Sequence, residues 1–238
     1  SPIDSKDKIS VGLKSARDFF NKTVQLKGRR LIVGTFWNDV PKTWLSNYEN
    51  ALQRAIRTEK GLERNIKRKH NYQAGFQELI KMGILQYVPK PDIHSGRYLA
   101  HFPVYRSPRD FSPRIVFDAA AVDQEHVCWN DAIQYCLNDN LNLLTIICIN
   151  FRKSRYIVML DVKKFYLQIY RKEEDWLYQK VLYRSSSDEP FHTYCITRVF
   201  FGASDSQGVT SEAVRHLATK FKEQFPEAAE EINRSLYV

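Results

Sequence analysis

A chain of 238 residues with 43% hydrophobic content can bury a core in one large domain or two closely packed subdomains, and it is too apolar for disorder. Its longest apolar runs, such as Ile146-Ile147-Cys148-Ile149, fall far short of the roughly 18 residues of a membrane helix, and Lys, Arg and Asp stud the N-terminal region where a secretory segment is apolar, so an intracellular protein of cytoplasm or nucleus with no membrane partner is expected. The net charge of +9 is uneven: residues 1–110 hold 21 Lys and Arg against 10 Asp and Glu, or +11, and residues 111–238 hold 15 against 17, or −2, a division that suits a protein gripping a polyanion with one part.

In chain order, Asp4 to Phe20 predicts a short helix anchored by Leu13, Phe19 and Phe20, and Gly28 to Trp37 a short strand ending in an aromatic pair. From Thr43, apolar Trp44, Leu45, Tyr48, Leu52, Ala55 and Ile56 recur at about the helical period, with Thr43 or Ser46 placed to cap. The continuation carries Arg54, Arg57, Lys60, Arg64, Lys67, Arg68 and Lys69 against only Glu59 and Glu63, with a bend expected near Gly61. Such a stretch is either a nucleic-acid contact or a solvated helix face. A further helix is predicted over Tyr72 to Met82, closed by Gly83. Arg97 to Tyr105 reads as a strand entering a loop, Arg114-Ile-Val-Phe-Asp118 as a compact strand, and Asn130 to Asn150 as a helix that ends before the basic run Arg152-Lys153-Ser154-Arg155. Cys128, Cys136, Cys148 and Cys195 contain no C-x-x-C pair and are expected to be reduced packing residues.

Tyr156-Ile-Val-Met-Leu160 is an apolar run of strand length that delivers Asp161 at its end. A buried strand ending on a carboxylate is costly unless the carboxylate meets a cation, which makes Asp161 a candidate metal ligand; a cap of the following turn is the other reading.

The string Leu160-Asp161-Val-Lys-Lys-Phe-Tyr166-Leu-Gln168 resembles the first palm motif of reverse transcriptases, Arg114 to Asp118 resembles their fingers strand, and Phe201-Gly202 resembles the glycine turn of the next palm motif. The similarity is sharper to the BEL/Pao group of LTR retroelements. Its segments occur here in order: Phe36-Trp37, Asn47-Tyr48 with Ala51 and Arg54, Tyr98-Leu-Ala-His101 with Pro103, Asn130-Asp131, Phe151-Arg152, Asp188-Glu-Pro190 and Phe201-Gly202-Ala-Ser204. The matches run from about Leu31 to Val238.

That resemblance implies an α+β, right-hand polymerase-like fold: an N-terminal extension over 1–30, a helical N-terminal region over 31–95, fingers over 96–155 and a partial palm over 156–238. It implies that Asp161 ligates Mg2+ as the catalytic carboxylate, that Arg114 and Asp118 belong to the nucleotide site with Gly202, and that Tyr166 is the gate against a ribose 2′-hydroxyl. The chain departs from the family at Asp205-Ser206-Gln207-Gly208, where Ser-Pro and an apolar residue are usual, at Cys136-Leu137 and at Lys163. The family motif Tyr-Val-Asp-Asp is represented by Tyr237-Val238 alone. Two-metal phosphoryl transfer needs carboxylates from both palm elements, and Glu227, Glu230 and Glu231 lie on a helical pattern that reads as a solvated face.

Two functions stay open at this point. One is a reverse-transcriptase-like domain that is non-catalytic as this chain and binds RNA, DNA or protein. The other is a fragment of an active RNA-directed DNA polymerase of a retrotransposon. In either case the basic stretch from Arg54 to Lys69, with Arg152, Lys153 and Arg155, is expected to contact phosphates. Leu236 to Val238 is expected to form an unpaired strand edge open to a protein partner or a second copy.

Overall fold

Gly28, at φ +60°, turns the chain from β1 (Gln25–Lys27) back into β2 (Arg30–Val33), and this hairpin follows directly on a long helix, α1 (Pro2–Thr23). Residues 2–38, 44–123, 126–134, 144–152 and 155–237 are described by the computed structural model. Thr43, Cys136, Leu137, Leu141, Lys153 and Val238, which carry several of the expectations above, lie outside those residues.

Helix α2 (Tyr48–Glu63) buries Ala51, Ala55 and Leu62, which fall on one side at the helical spacing. It runs straight through Gly61 and ends at Glu63, so the expected bend at Gly61 is displaced to Asn65. There the Asn65 side chain accepts a hydrogen bond from the Arg68 N–H at 3.0 Å and starts α3 (Ile66–Lys81), six residues earlier than the pattern from Tyr72 indicates. A side-chain cap ends one helix and begins another more decisively than a glycine that solvates well in mid-helix. Trp44 and Leu45 precede α2 instead of opening it, and the residue at its N-terminus is Asn47.

Strand β3 (Leu85–Tyr87) pairs with β8 (His192–Ile196), which pairs with β7 (Lys180–Tyr183), giving an antiparallel three-stranded sheet in the order β3-β8-β7. β4 (Ala100–Val104) and β5 (Arg114–Asp118) form a separate antiparallel ladder in which Val104 faces Arg114 and Ala100 faces Asp118. β6 (Tyr170–Arg171) adds to β2 in parallel, completing the sheet β1-β2-β6. The expected helix over 130–150 is divided: a 3-10 turn covers Trp129–Ala132 and α4 covers Leu144–Phe151. Helices α5 (Ser206–Lys220) and α6 (Pro226–Ser235) close the described chain, and Glu227, Glu230 and Glu231 are exposed on α6.

The architecture is α+β with two main cores. One joins α2 and α3 to the β3-β8-β7 sheet through Phe76, Leu85, Phe117, Trp129, Val181 and Phe200. The other packs α1 on α5 and on the β1-β2-β6 sheet through Phe20, Val33, Ile169, Val199 and Ala213. Among the described residues no helix is long and apolar enough to cross a membrane.

Two expectations fail here. The run Tyr156–Leu160 is not a buried strand: no sheet among the described residues takes it in, and Tyr156, Val158, Met159 and Leu160 are 79%, 77%, 81% and 93% exposed. Its β-branched and apolar side chains favour a strand, but a strand also needs a partner for its backbone groups, and β2 pairs instead with β6. Leu236 and Tyr237 likewise form no strand edge; they follow the end of α6 as irregular chain.

Candidate functional site

Several of the segments that the sequence singles out meet around the β4-β5 ladder. Asn47 receives a hydrogen bond from the Tyr98 N–H at 2.8 Å and donates to the Tyr98 carbonyl at 2.9 Å, which locks the entry of α2 to the chain leading into β4. Tyr48 packs edge-on against Tyr98. Farther along α2, Arg54 pairs with Asp118 at 2.5 Å and Thr58 donates to the His101 carbonyl. Asp118 is therefore the partner of Arg54 and fixes the end of β5. Arg54 is correspondingly withdrawn from the set of residues free to meet phosphate.

Behind the ladder, His101 is fully buried between Tyr72, whose hydroxyl donates to Nδ1 at 2.6 Å, and the Leu182 carbonyl, which receives Nε2–H at 2.7 Å. The carbonyl can only accept, so it sets the neutral Nε2–H tautomer. Burial pushes the imidazole down to about 4.

On the outer side, β5 presents Arg114, whose guanidinium carbon lies 5.3 Å from the centroid of the Phe201 ring. Tyr166 packs on the same ring with centroids 4.7 Å apart, and burial holds its phenol above the usual range. Phe201 therefore carries both Arg114 and Tyr166. The neighbouring Gly202 has φ +114°, and a Cβ there would stand 2.1 Å from the Phe117 carbonyl oxygen, so the turn lies against β5 at a distance that only glycine permits. Asn130 clamps the same turn: its amide donates to the Gly202 carbonyl at 3.1 Å and its oxygen accepts from the Ser204 N–H at 2.9 Å. The turn thus has a steric seat and a polar clasp.

Between α3, β5 and this turn opens a cavity of about 320 Å³, lined by Gly75, Glu78, Arg114, Lys164, Leu167 and Phe201 among others. Lys164 enters it from a left-handed backbone conformation, φ +54°, with its Nζ 2.6 Å from Glu78 Oε1 and 3.4 Å from Met82 Sδ. That ion pair holds the Glu78 carboxyl below its usual range. In sequence Lys164 stands with Asp161 as one of the segments that carry the BEL/Pao resemblance; its approach to α3 has no signal in periodicity or motif.

Asp161 is exposed, three residues before Lys164. Among the described residues no group of three or more His, Cys, Asp and Glu side chains is arranged to hold a metal ion. A paired magnesium centre needs several carboxylates converging, and Asp161 would supply one of them.

The basic residues divide. Arg57 and Lys60 are exposed on the side of α2 opposite Ala51, Ala55 and Leu62, and Arg64, the residue just past its end, is exposed as well. Lys67 lies over the Phe111 ring at 4.3 Å, Arg68 over Tyr105 at 4.2 Å while donating to the Pro108 carbonyl, and Lys69 faces Glu63 at 3.9 Å. These three secure the 105–111 loop and the α2–α3 junction. Arg152 and Arg155 are exposed, and Arg155 sits over Tyr156.

Asp205, one of the departures noted in the sequence, is 2% exposed, and both of its carboxylate oxygens accept from Arg171 Nη2, at 2.8 and 2.6 Å. It ties the start of α5 to β6. Comparison of the sequence with protein-family models and with curated proteins finds no match.

Proposed function

We propose that this chain is a reverse-transcriptase-like domain of BEL/Pao type that works as a nucleic-acid binding module. The observation that carries the reading is the convergence of Arg114, Tyr166, Phe201 and Gly202 on one wall. These residues come from three separate stretches of the chain, and the resemblance assigns Arg114, Tyr166 and Gly202 to a nucleotide site. A guanidinium beside half-buried aromatic rings suits phosphate and base together, and the stripe of Arg57, Lys60 and Arg64 adds charge that follows a backbone without reading sequence.

Fluorescence anisotropy with labelled single-stranded RNA and DNA of matched sequence, titrated at several salt concentrations, tests this. Binding that weakens steeply with salt and drops on Arg114→Gln is the expected result. Protein that leaves both probes unbound at low salt defeats the proposal.

The polymerase reading has one observation of its own: Tyr166 rests on Phe201 beside Arg114, the residue whose family counterpart lies on the triphosphate. Template-directed, Mg2+-dependent extension of a primer by this chain, abolished by Asp161→Asn, would establish it. No extension under conditions where the oligonucleotide binds leaves the binding module as the function.

A further inference from the structure

The cavity between α3 and β5 contains two cations in different states. Among the described residues no carboxylate pairs with Arg114, which rests on the face of Phe201. Lys164 is paired with Glu78, and both line the same cavity as Arg114. The pair is lopsided in exposure: the Lys164 side chain is 26% exposed and that of Glu78 60%. The carboxylate therefore arrives from the solvent side and can swing back to water on its α3 rotamers, whereas the ammonium is held at the cavity.

The backbone reinforces this arrangement. Lys164 and His126 are the non-glycine residues with positive φ among those described. A lysine in that conformation is strained and persists where the surroundings impose it. Here the imposed conformation carries Nζ to Glu78 and to Met82 Sδ, a contact of little electrostatic value. A carboxylate and a phosphate oxygen make the same kind of charge-assisted hydrogen bond with an ammonium, so Glu78 occupies a position that a ligand oxyanion can take.

We infer that Glu78 is an internal anion that stands in for a phosphate oxygen on Lys164, and that a phosphate-bearing ligand entering the cavity displaces it to bridge Lys164 and Arg114. This rests on the nucleic-acid reading above and adds to it a built-in competitor: affinity is held down by the energy of one ion pair that must open first. The shared chemistry is the phosphate oxyanion, which either a free polyphosphate or the backbone of a strand can supply.

Dissociation constants for sodium tripolyphosphate, by calorimetry, and for a labelled single-stranded oligonucleotide, by anisotropy, decide the matter in the native chain and in Glu78→Gln, Lys164→Gln and the double variant. Glu78→Gln is expected to tighten binding about two- to fivefold, the range that opening an exposed ion pair allows. In the Lys164→Gln background the gain is expected to vanish, since the competitor then has nothing to compete for. A gain that persists there reflects the general field of a removed negative charge acting on Arg114, and overturns the inference. Unchanged or weaker binding by Glu78→Gln does the same. Coupling seen with tripolyphosphate identifies a free polyphosphate as the ligand; coupling confined to the oligonucleotide identifies a strand phosphate. Binding of either probe without coupling refutes the displacement alone, whereas no binding of either probe to the native chain and to Glu78→Gln refutes the functional reading with it.

Discussion

At Gly202 a backbone requirement and a packing requirement coincide. Its φ of +114° is open to glycine, and the missing Cβ leaves room for the Phe117 carbonyl. Gly202→Ala is expected to lower stability by about 2–4 kcal/mol through strain and overpacking, read as a shift in urea midpoint at unchanged slope; a shift under about 0.5 kcal/mol would mean that the turn relaxes freely. His101 gives a pH dependence whose sign follows from its burial. Its folded value near 4 lies below the unfolded value of 6.5, so the unfolded chain binds a proton that the folded chain refuses. The stabilisation is complete above pH 6.5 and is lost as pH falls toward 4, a change of about 3 kcal/mol. Protonation also sets a second donor against the Tyr72 hydroxyl, which then has to turn away. Urea unfolding at pH 7.5 and 4.5 should reveal the loss, and His101→Gln should flatten it. Gly202 and Asn130 were legible because they stand in motifs. The Arg171–Asp205 pair was not: in sequence Asp205 reads only as a departure at a position where the resemblance has Ser, and its partner lies 34 residues away in β6.

Among the elements, β5 falls on the residues that its charged ends and apolar centre mark out, because a short strand between turn-forming segments leaves little freedom in its bounds. Helices α2 and α3 were legible as helices and misread at their junction, since periodicity reports which side is buried and says little about which polar side chain will cap. The Tyr156–Leu160 run was misread for a different reason. Hydrophobicity announces that a segment gains by being covered, and only the fold determines whether anything in this chain covers it. Leu160→Lys is expected to leave the unfolding free energy of this chain, read by urea titration, within about 0.5 kcal/mol of native, as surface substitutions do. A loss of 2 kcal/mol or more would show that the run is buried as a strand after all.

On the scale of the whole molecule, the charge division of the sequence survives folding in part. Some of the basic excess is spent inside the N-terminal half: Arg54 binds Asp118, Arg68 binds the 105–111 loop and Lys69 faces Glu63. What remains outward on α2 and just past its end is the stripe of Arg57, Lys60 and Arg64. Replacing these three with Gln is expected to reduce the slope of log affinity against log salt by about 2–3, with folding unchanged. Neutralising Lys67, Arg68 and Lys69 instead should loosen the loop that they hold as well as weaken binding, which hydrogen exchange over 105–111 would register.

The parallel pairing of β2 with β6 has a consequence for the order in which the protein is made. The hydrogen bond from Trp37 to Asp175, beside that pairing, spans 138 residues. At a synthesis rate of about 5–20 residues per second, β2 waits roughly 7–30 s on the ribosome for its neighbour to emerge. During that interval the hairpin exposes an edge that any passing strand can join, and Lys27, Arg29 and Arg30 stand at its turn as charges that discourage such joining. Nascent chains stalled short of Arg171 should therefore be cut by protease within the hairpin, and chains released past α5 should resist.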